Sequence, residues 1–153
     1  MILDLYNPSD VEIFATGTEG KIVGITSGCY DLVHDLHLVY FLRCRRLCDV
    51  LVVGVDSDDL VRQCKGPKRP IVPENKRVNM VNAMNPVQAA FVMGSVEDFR
   101  TAVQSLGAKK IFKNQDFDPK DVAGNELAEV VIVPDIAGVD STSEIIEQII
   151  KRG

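Results

Sequence analysis

The chain has 153 residues, of which 46% are hydrophobic and 25% charged, and a formal net charge of −5. That is the size and composition of one globular domain able to bury a continuous core. No apolar run reaches the roughly 20 residues that cross a bilayer, MILDLYNPSD lacks the basic flank and apolar core of a secretory leader, and the acidic balance disfavours broad binding to nucleic acid or anionic membrane. A soluble cytoplasmic protein without nucleic-acid or membrane partners is expected.

Residues 1–20 read as a lead-in segment, with Ser9 and Glu12 as a capping box for a short helix that ends at Gly17 or Gly20. From residue 21 to 153 one domain follows, built of alternating strands and helices. KIVGITS (21–27) is a strand, and a helix runs from about Asp35 to Cys48. DVLVVGVD (49–56) is a second strand, continuously apolar as in a sheet covered on both faces. A short helix covers 57–64, and KGPKRPIVP (65–73) is a loop because its prolines and glycine interrupt any regular element. Helix 74–84, strand 88–93, helix 96–106 closed by Gly107, strand 109–113, a loop with one helical segment, strand 129–134 and helix 141–152 complete the chain. This alternation predicts an α/β fold, a Rossmann-like, doubly wound, five-stranded parallel sheet with helices on both faces. Ligands of such sheets bind beyond the carboxyl ends of the strands, at the switch point.

Cys29, Cys44, Cys48 and Cys64 have no disulfide spacing. Cys44 and Cys48 share a face of an amphipathic helix, and buried thiols acting as small hydrophobes are expected rather than a zinc site.

The polar loops sit where the fold places ligands. GCYDLVHDLH (28–37) holds Gly28, Asp31 and the chain's two histidines, His34 and His37. At a helix start, spacing of three puts both imidazoles on one face of the first turn, where free N–H groups already attract anions. Donors there suit phosphate oxygens; a zinc pair or two buried polar residues are the alternatives. Arg62, Lys65, Lys68, Arg69, Lys76 and Arg77 place six of the 17 basic residues within sixteen positions, opposed only by Glu74. Lys65 and Arg77 are the candidates for a polyanion cradle, with Lys68 and Lys76 facing solvent. Lys113, Asn114, Gln115 and Asp116 form a compact set suited to a base or sugar, and Ser141, Thr142 and Ser143 open the last helix as a phosphate seat.

GCYDLVHDLH resembles the G-x-F-D-x-x-H-x-G-H signature of the cytidylyltransferase-like nucleotidyltransferases, and STSEII resembles their S-T-T-x-I-I ending. VRQCKGPKRPIVPENKR and IFKNQDFDPKDVAGNE closely resemble segments of the heptose-1-phosphate adenylyltransferase domain of bacterial ADP-heptose synthases. The similarity runs from about residue 21 to 152 and includes no sugar-kinase domain. It implies that His34 and His37 stabilise the α-phosphate transition state and that Lys65, grouped with them as catalytic, holds the triphosphate together with Arg77. Gly28, Cys29, Tyr30, Arg77, Lys113, Asp116, Ser141, Thr142 and Ser143 would bind the nucleotide. Asp31 and Asp56 would meet the acceptor, Asp31 placing the sugar phosphate or a metal. The sequence departs from the pattern at Leu36, where H-x-G-H has glycine, and GVDSTS carries one residue more than G-x-S-T-T.

The resulting expectation is a nucleotidyltransferase joining a sugar 1-phosphate to the nucleoside monophosphate part of a triphosphate, ATP by resemblance, with release of pyrophosphate. Mg²⁺ accompanies the triphosphate, no metal site within the protein is expected, and the assembly is a homo-oligomer, simplest as a dimer. The rivals are a cytidylyltransferase acting on another alcohol or sugar phosphate, and a non-catalytic nucleotide-binding module in which Leu36 marks lost activity.

Overall fold

A computed structural model describes residues 1–134 and 142–152. In chain order the elements are α1 (Pro8–Gly17), β1 (Val23–Gly28), α2 (Asp35–Arg45), β2 (Val50–Asp56), α3 (Asp58–Lys65), α4 (Glu74–Asn82), β3 (Ala89–Met93), α5 (Val96–Ser105), β4 (Lys110–Lys113), a 3₁₀ turn at Pro119–Asp121, β5 (Glu129–Ile132) and α6 (Thr142–Arg152). Among the described residues five parallel strands form one sheet in the order β3-β2-β1-β4-β5. The order reverses between β1 and β4, so the cleft beyond their carboxyl ends is the switch point.

Strand alternation divides the core. On β2, Val50 and Val52 join Val23, Ile25, Phe91, Phe99 and Ile111 beneath α5, while Leu51, Val53 and Val55 join Phe41, Val78, Val81 and Phe112 beneath α2 and α4. Both faces are covered, which is why β2 reads as an unbroken apolar run. Gly24 on β1 is required by close approach, because a Cβ there would strike the Phe112 ring and the Cys48 sulfur.

The N-terminal twenty residues pack into this unit. Leu3 N–H donates to the Ala90 carbonyl at 2.8 Å and Ala90 N–H to the Met1 carbonyl at 3.0 Å, extending the β3 edge, and Leu3, Leu5 and Phe14 enter the core on the α5 side. The α1 cap differs from the Ser9–Glu12 box: Asn7 is the N-cap and its side chain accepts from Ser9 N–H. Pro8, with its φ already helical, takes the first helical position and moves the start earlier.

Helix α2 is shorter than expected. It ends at Arg45 because Arg46 N–H turns back to the carbonyls of Leu42 and Cys44. Cys48 therefore lies beyond the helix, not on a shared face, although both thiols are buried and Cys48 Sγ contacts the Cys44 carbonyl at 3.4 Å. Nor is α2 cleanly amphipathic, since Leu38 and Leu42 are exposed. Cys29 is buried as expected, and Cys64 is exposed. Among the described residues no helix is long and apolar enough to cross a membrane.

Candidate active site

The loop leaving β1 turns sharply. Tyr30 and Leu32 both hold positive φ, at 51° and 52°, a conformation that costs about 1 kcal/mol or more for each non-glycine residue and persists only where packing enforces it. The enforcing contacts are those of the Tyr30 ring, which sits 5.2 Å from Phe41 and edge-on to His37 at 5.5 Å. A Cβ on Gly28 would come within 3.1 Å of that ring. Gly28 and Tyr30 thus shape the loop by packing, and burial raises the Tyr30 hydroxyl well above its ordinary pKa.

This turn delivers His34 to the N-cap of α2 and His37 to its first turn, with ring centroids 4.2 Å apart. His34 main-chain N–H donates to His37 Nδ1 at 3.2 Å. A neutral His37 must then carry its proton on Nε2, the nitrogen left to donate outward. Burial first, then the neighbouring His34 and Lys65, lower its pKa to about 4. His34 Nε2 lies 3.2 Å from Thr142 Oγ1, so the start of α6 meets the start of α2. Lys65, exposed at the end of α3, acts electrostatically on His37, Cys29 and Asp56. The arrangement offers the neutral Nε2–H donor of His37, a second imidazole, a cation and two helix N-termini to an anion.

Two expected binding groups are instead buried and fully engaged. Arg77 is 1% exposed. Its Nε donates to the Val72 carbonyl at 2.8 Å, and its two terminal nitrogens to the Cys29 carbonyl at 2.6 Å and to Asp58 Oδ1 at 2.7 Å. Its guanidinium holds the β1–α2 loop to α3 and α4 and has no face left for a triphosphate. Asp58 and Glu74 complete that joint by capping each other's helices, Asp58 N–H to Glu74 at 2.6 Å and Glu74 N–H to Asp58 at 2.9 Å. Asp31, expected at the acceptor, is 2% exposed and accepts from Arg69 Nε at 2.8 Å and from the N–H groups of Ile71 and Val72, each at 2.9 Å. Burial acts to raise its pKa, but these donors prevail and lower it. Asp31 clamps the basic loop under the histidine loop. Cys29 likewise contributes its carbonyl, and burial raises its thiol pKa against the opposing pull of Lys65.

A second group stands at the strand ends on the α5 side. Lys113 Nζ donates to Ser27 Oγ at 2.9 Å and lies 4.9 Å from the ring centres of both Phe99 and Phe117. Burial lowers its pKa, partly offset by Asp56. Asp56, at the end of β2, has its pKa raised by burial against the pull of Lys113, Arg77 and Lys65. Ser27 carries no sequence motif, while Phe117 stands within the IFKNQDFDPKDVAGNE segment that carries the resemblance but was not singled out there. Asp116 is exposed and accepts from Asn114 at 3.1 Å, outside this cluster. Ser143 is exposed on α6, Lys68 and Lys76 are exposed as expected, and Ser141 lies outside the described residues. Among the described residues no group of three or more His, Cys, Asp or Glu side chains is arranged to hold a metal ion.

Comparison with known proteins agrees with this fold. A family model described as cytidylyltransferase-like matches residues 25–149. Proteins named bifunctional protein HldE are similar: that of Trichlorobacter lovleyi is 36% identical over 148 residues, covering 92% of this chain and 29% of its own length. That of Helicobacter pylori is 36% identical over 129 residues, covering 84% of this chain and 27% of its own. The chain thus spans less than a third of the length of these relatives. A lipopolysaccharide core biosynthesis protein from Thermoplasma volcanium superposes with a TM-score of 0.66 at 28% identity, over 78% of this chain and all of that one. A pantothenate synthetase from Thermus thermophilus, at 14% identity and a TM-score of 0.55 over 84% of this chain and 61% of its own, shares the fold.

Proposed function

From a chain that belongs to the cytidylyltransferase-like family of nucleotidyltransferases, we propose an enzyme that joins a sugar 1-phosphate of the heptose type to the adenylyl group of ATP. An oxygen of the acceptor phosphate attacks the α-phosphorus in line, the new P–O bond forms as the α–β bridge breaks, and pyrophosphate leaves. The attacking phosphate is already ionised, so no general base is required, and catalysis rests on positioning and charge neutralisation.

The observation that carries this reading is the pair of imidazoles 4.2 Å apart at the start of α2, one of them 3.2 Å from Thr142 at the start of α6. In this role His37 donates from Nε2 to the non-bridging oxygens of the α-phosphate as charge develops. His34 joins it with Thr142, and Lys65 neutralises the departing phosphates. Gly28, Cys29 and Tyr30 act by setting the turn. Mg²⁺ would enter with the triphosphate as part of the substrate and would supply charge neutralisation for its phosphates. The choice of ATP and a heptose phosphate is supported by similarity to the HldE proteins.

We further propose a cytoplasmic location and a homodimer, the latter supported by the exposed Leu38 and Leu42 of α2 as apolar surface to bury. Single-turnover assays test the catalytic reading: His34→Ala or His37→Ala should slow pyrophosphate release by on the order of 100-fold with a smaller change in nucleotide affinity. Near-normal rates in both variants would remove it.

A further inference from the structure

Helix α2 carries a self-complementary ridge on its outer side. Between residues 35 and 46 the exposed positions are Asp35, Leu38, Leu42 and Arg46, and Arg46 keeps helical geometry, with φ −69° and ψ −16°. At about 100° per residue the four fall within an arc of about 80°, so acid, leucine, leucine and base follow one another along one line. The Asp35 side chain is 79% exposed, although its carboxylate lies 3.8 Å from His34 Nδ1. Arg46 forms no ion pair with any described residue. Single exposed leucines are ordinary, but two at a spacing of four are neighbours on a helix surface and form one apolar contact area. On the same side of the sheet, α4 adds the exposed Met80.

We infer that two copies of this chain pair through this ridge, with their α2 helices antiparallel about a two-fold axis. The inference rests on the homodimer proposed above and gives it a surface and a register. An axis crossing α2 at Tyr40, midway between Leu38 and Leu42, sets Leu38 of each copy on Leu42 of the other. It also brings Asp35 of each copy to Arg46 of the other, because the two lie nearly equally far from Tyr40. The difference of one residue is about 1.5 Å along the helix, well within the reach of an arginine side chain. Charge decides the direction. A parallel pair would set Asp35 on Asp35 and Arg46 on Arg46, whereas the antiparallel pair makes two opposite-charge contacts at the rim of an apolar centre, as a self-complementary two-fold interface requires. The ridge alone is smaller than the roughly 1,200 Å² that stable interfaces bury, and Met80 marks the side to which the contact extends. Since α2 begins beside His34, the interface reaches the residue next to the imidazole pair.

The test is sedimentation velocity on the wild-type chain, Leu42→Glu, Asp35→Arg, Arg46→Asp and a 1:1 mixture of the last two. The wild type should be a dimer at micromolar concentration and Leu42→Glu a monomer, with thermal melts showing the variant folded because Leu42 is exposed. Asp35→Arg and Arg46→Asp should each weaken association about 10-fold or more, since each puts like charges at both ends of the pair. Their mixture should associate within about threefold of the wild type, because every mixed pair again has opposite charges at both ends. Each of these two substitutions opposes the helix dipole, so recovery on mixing reports the contact between copies and not the stability of α2. A dimer that survives Leu42→Glu would overturn the inference and leave the homodimer standing on another surface. A mixture that associates no better than either variant alone would overturn the antiparallel register. A wild type that stays monomeric at about 100 µM defeats the homodimer reading and this inference with it, and assigns the ridge to a different partner.

Discussion

The main-chain N–H of His34 donates to Nδ1 of His37 across 3.2 Å. This one bond fixes which nitrogen of His37 is free, and burial with its neighbours keeps the ring neutral down to a pKa of about 4. Nitrogen-detected NMR should therefore find His37 as the Nε2–H tautomer throughout pH 5–8, and its titration should not appear as a limb in the pH dependence of kcat/KM near neutrality. The stability effect has a definite sign. The unfolded chain takes up a proton near 6.5 and the folded chain only near 4, so stability falls as pH drops between those values. His37→Gln should flatten that part of the curve in urea titrations.

Arg77 and Lys65 should separate cleanly. Removing Arg77 leaves Asp58 without its cation and the carbonyls of Cys29 and Val72 without their donor, a change of about 3–5 kcal/mol when a buried pair is broken. Arg77→Ala should lower the urea midpoint sharply, and Arg77→Lys should not restore it, because one ammonium cannot reproduce a fork of three donors. Lys65→Ala should leave the midpoint unchanged and weaken triphosphate binding, with Lys68→Ala and Lys76→Ala near wild type in both measurements.

Asp31 should act as an acid-labile clamp. Its folded pKa lies below the ordinary carboxylate value, so its stabilisation is present above the unfolded pKa of 3.8 and is lost as pH falls through the lower folded value. Asp31→Asn should destabilise the neutral protein by about 2–4 kcal/mol and remove part of the acid limb of a stability–pH curve. An unaltered midpoint at pH 7 would mean that the bonds to Arg69, Ile71 and Val72 do not secure the loop.

Leu36 is half-buried and belongs to neither core cluster. At about 100° per residue it lies about 100° from His37 and about 160° from His34 around α2, so it crowds the flank of the site rather than its phosphate-facing side. Leu36→Gly should tighten nucleotide binding, at about 1 kcal/mol of helix stability. If it instead creates turnover in a chain otherwise inert with every triphosphate and sugar phosphate, Leu36 marks a retired enzyme.

The alternation of apolar runs with periodic segments was enough to read the parallel sheet and its helices, because the inner strands β1 and β2 are buried on both faces and most turns are marked by Gly, Pro or a capping residue, even though the edge strand β5 is only partly buried. The loops that gather at the strand ends were legible for the same reason. What the sequence concealed was burial. Arg77 and Lys65 look alike in a basic stretch, and only packing shows that one is enclosed by carbonyls and Asp58 while the other is exposed. Asp31 reads as a free carboxylate because its donors are the main chain of Ile71 and Val72, forty residues away and without side-chain signature. Phe117, although inside the IFKNQDFDPKDVAGNE segment, gave no sign of its contact with Lys113 because a lone aromatic in a polar loop has no periodicity to reveal what it covers.

The most direct test of the central claim is a matrix of pyrophosphate release, with ATP, CTP, GTP and UTP set against heptose, hexose and alcohol phosphates, for the wild type and His37→Ala. The expected result is release with ATP and a heptose 1-phosphate, yielding a nucleotide sugar, and a loss on the order of 100-fold in the variant. Nucleotide binding without release at any position of the matrix, or release confined to CTP and an alcohol phosphate, would contradict it.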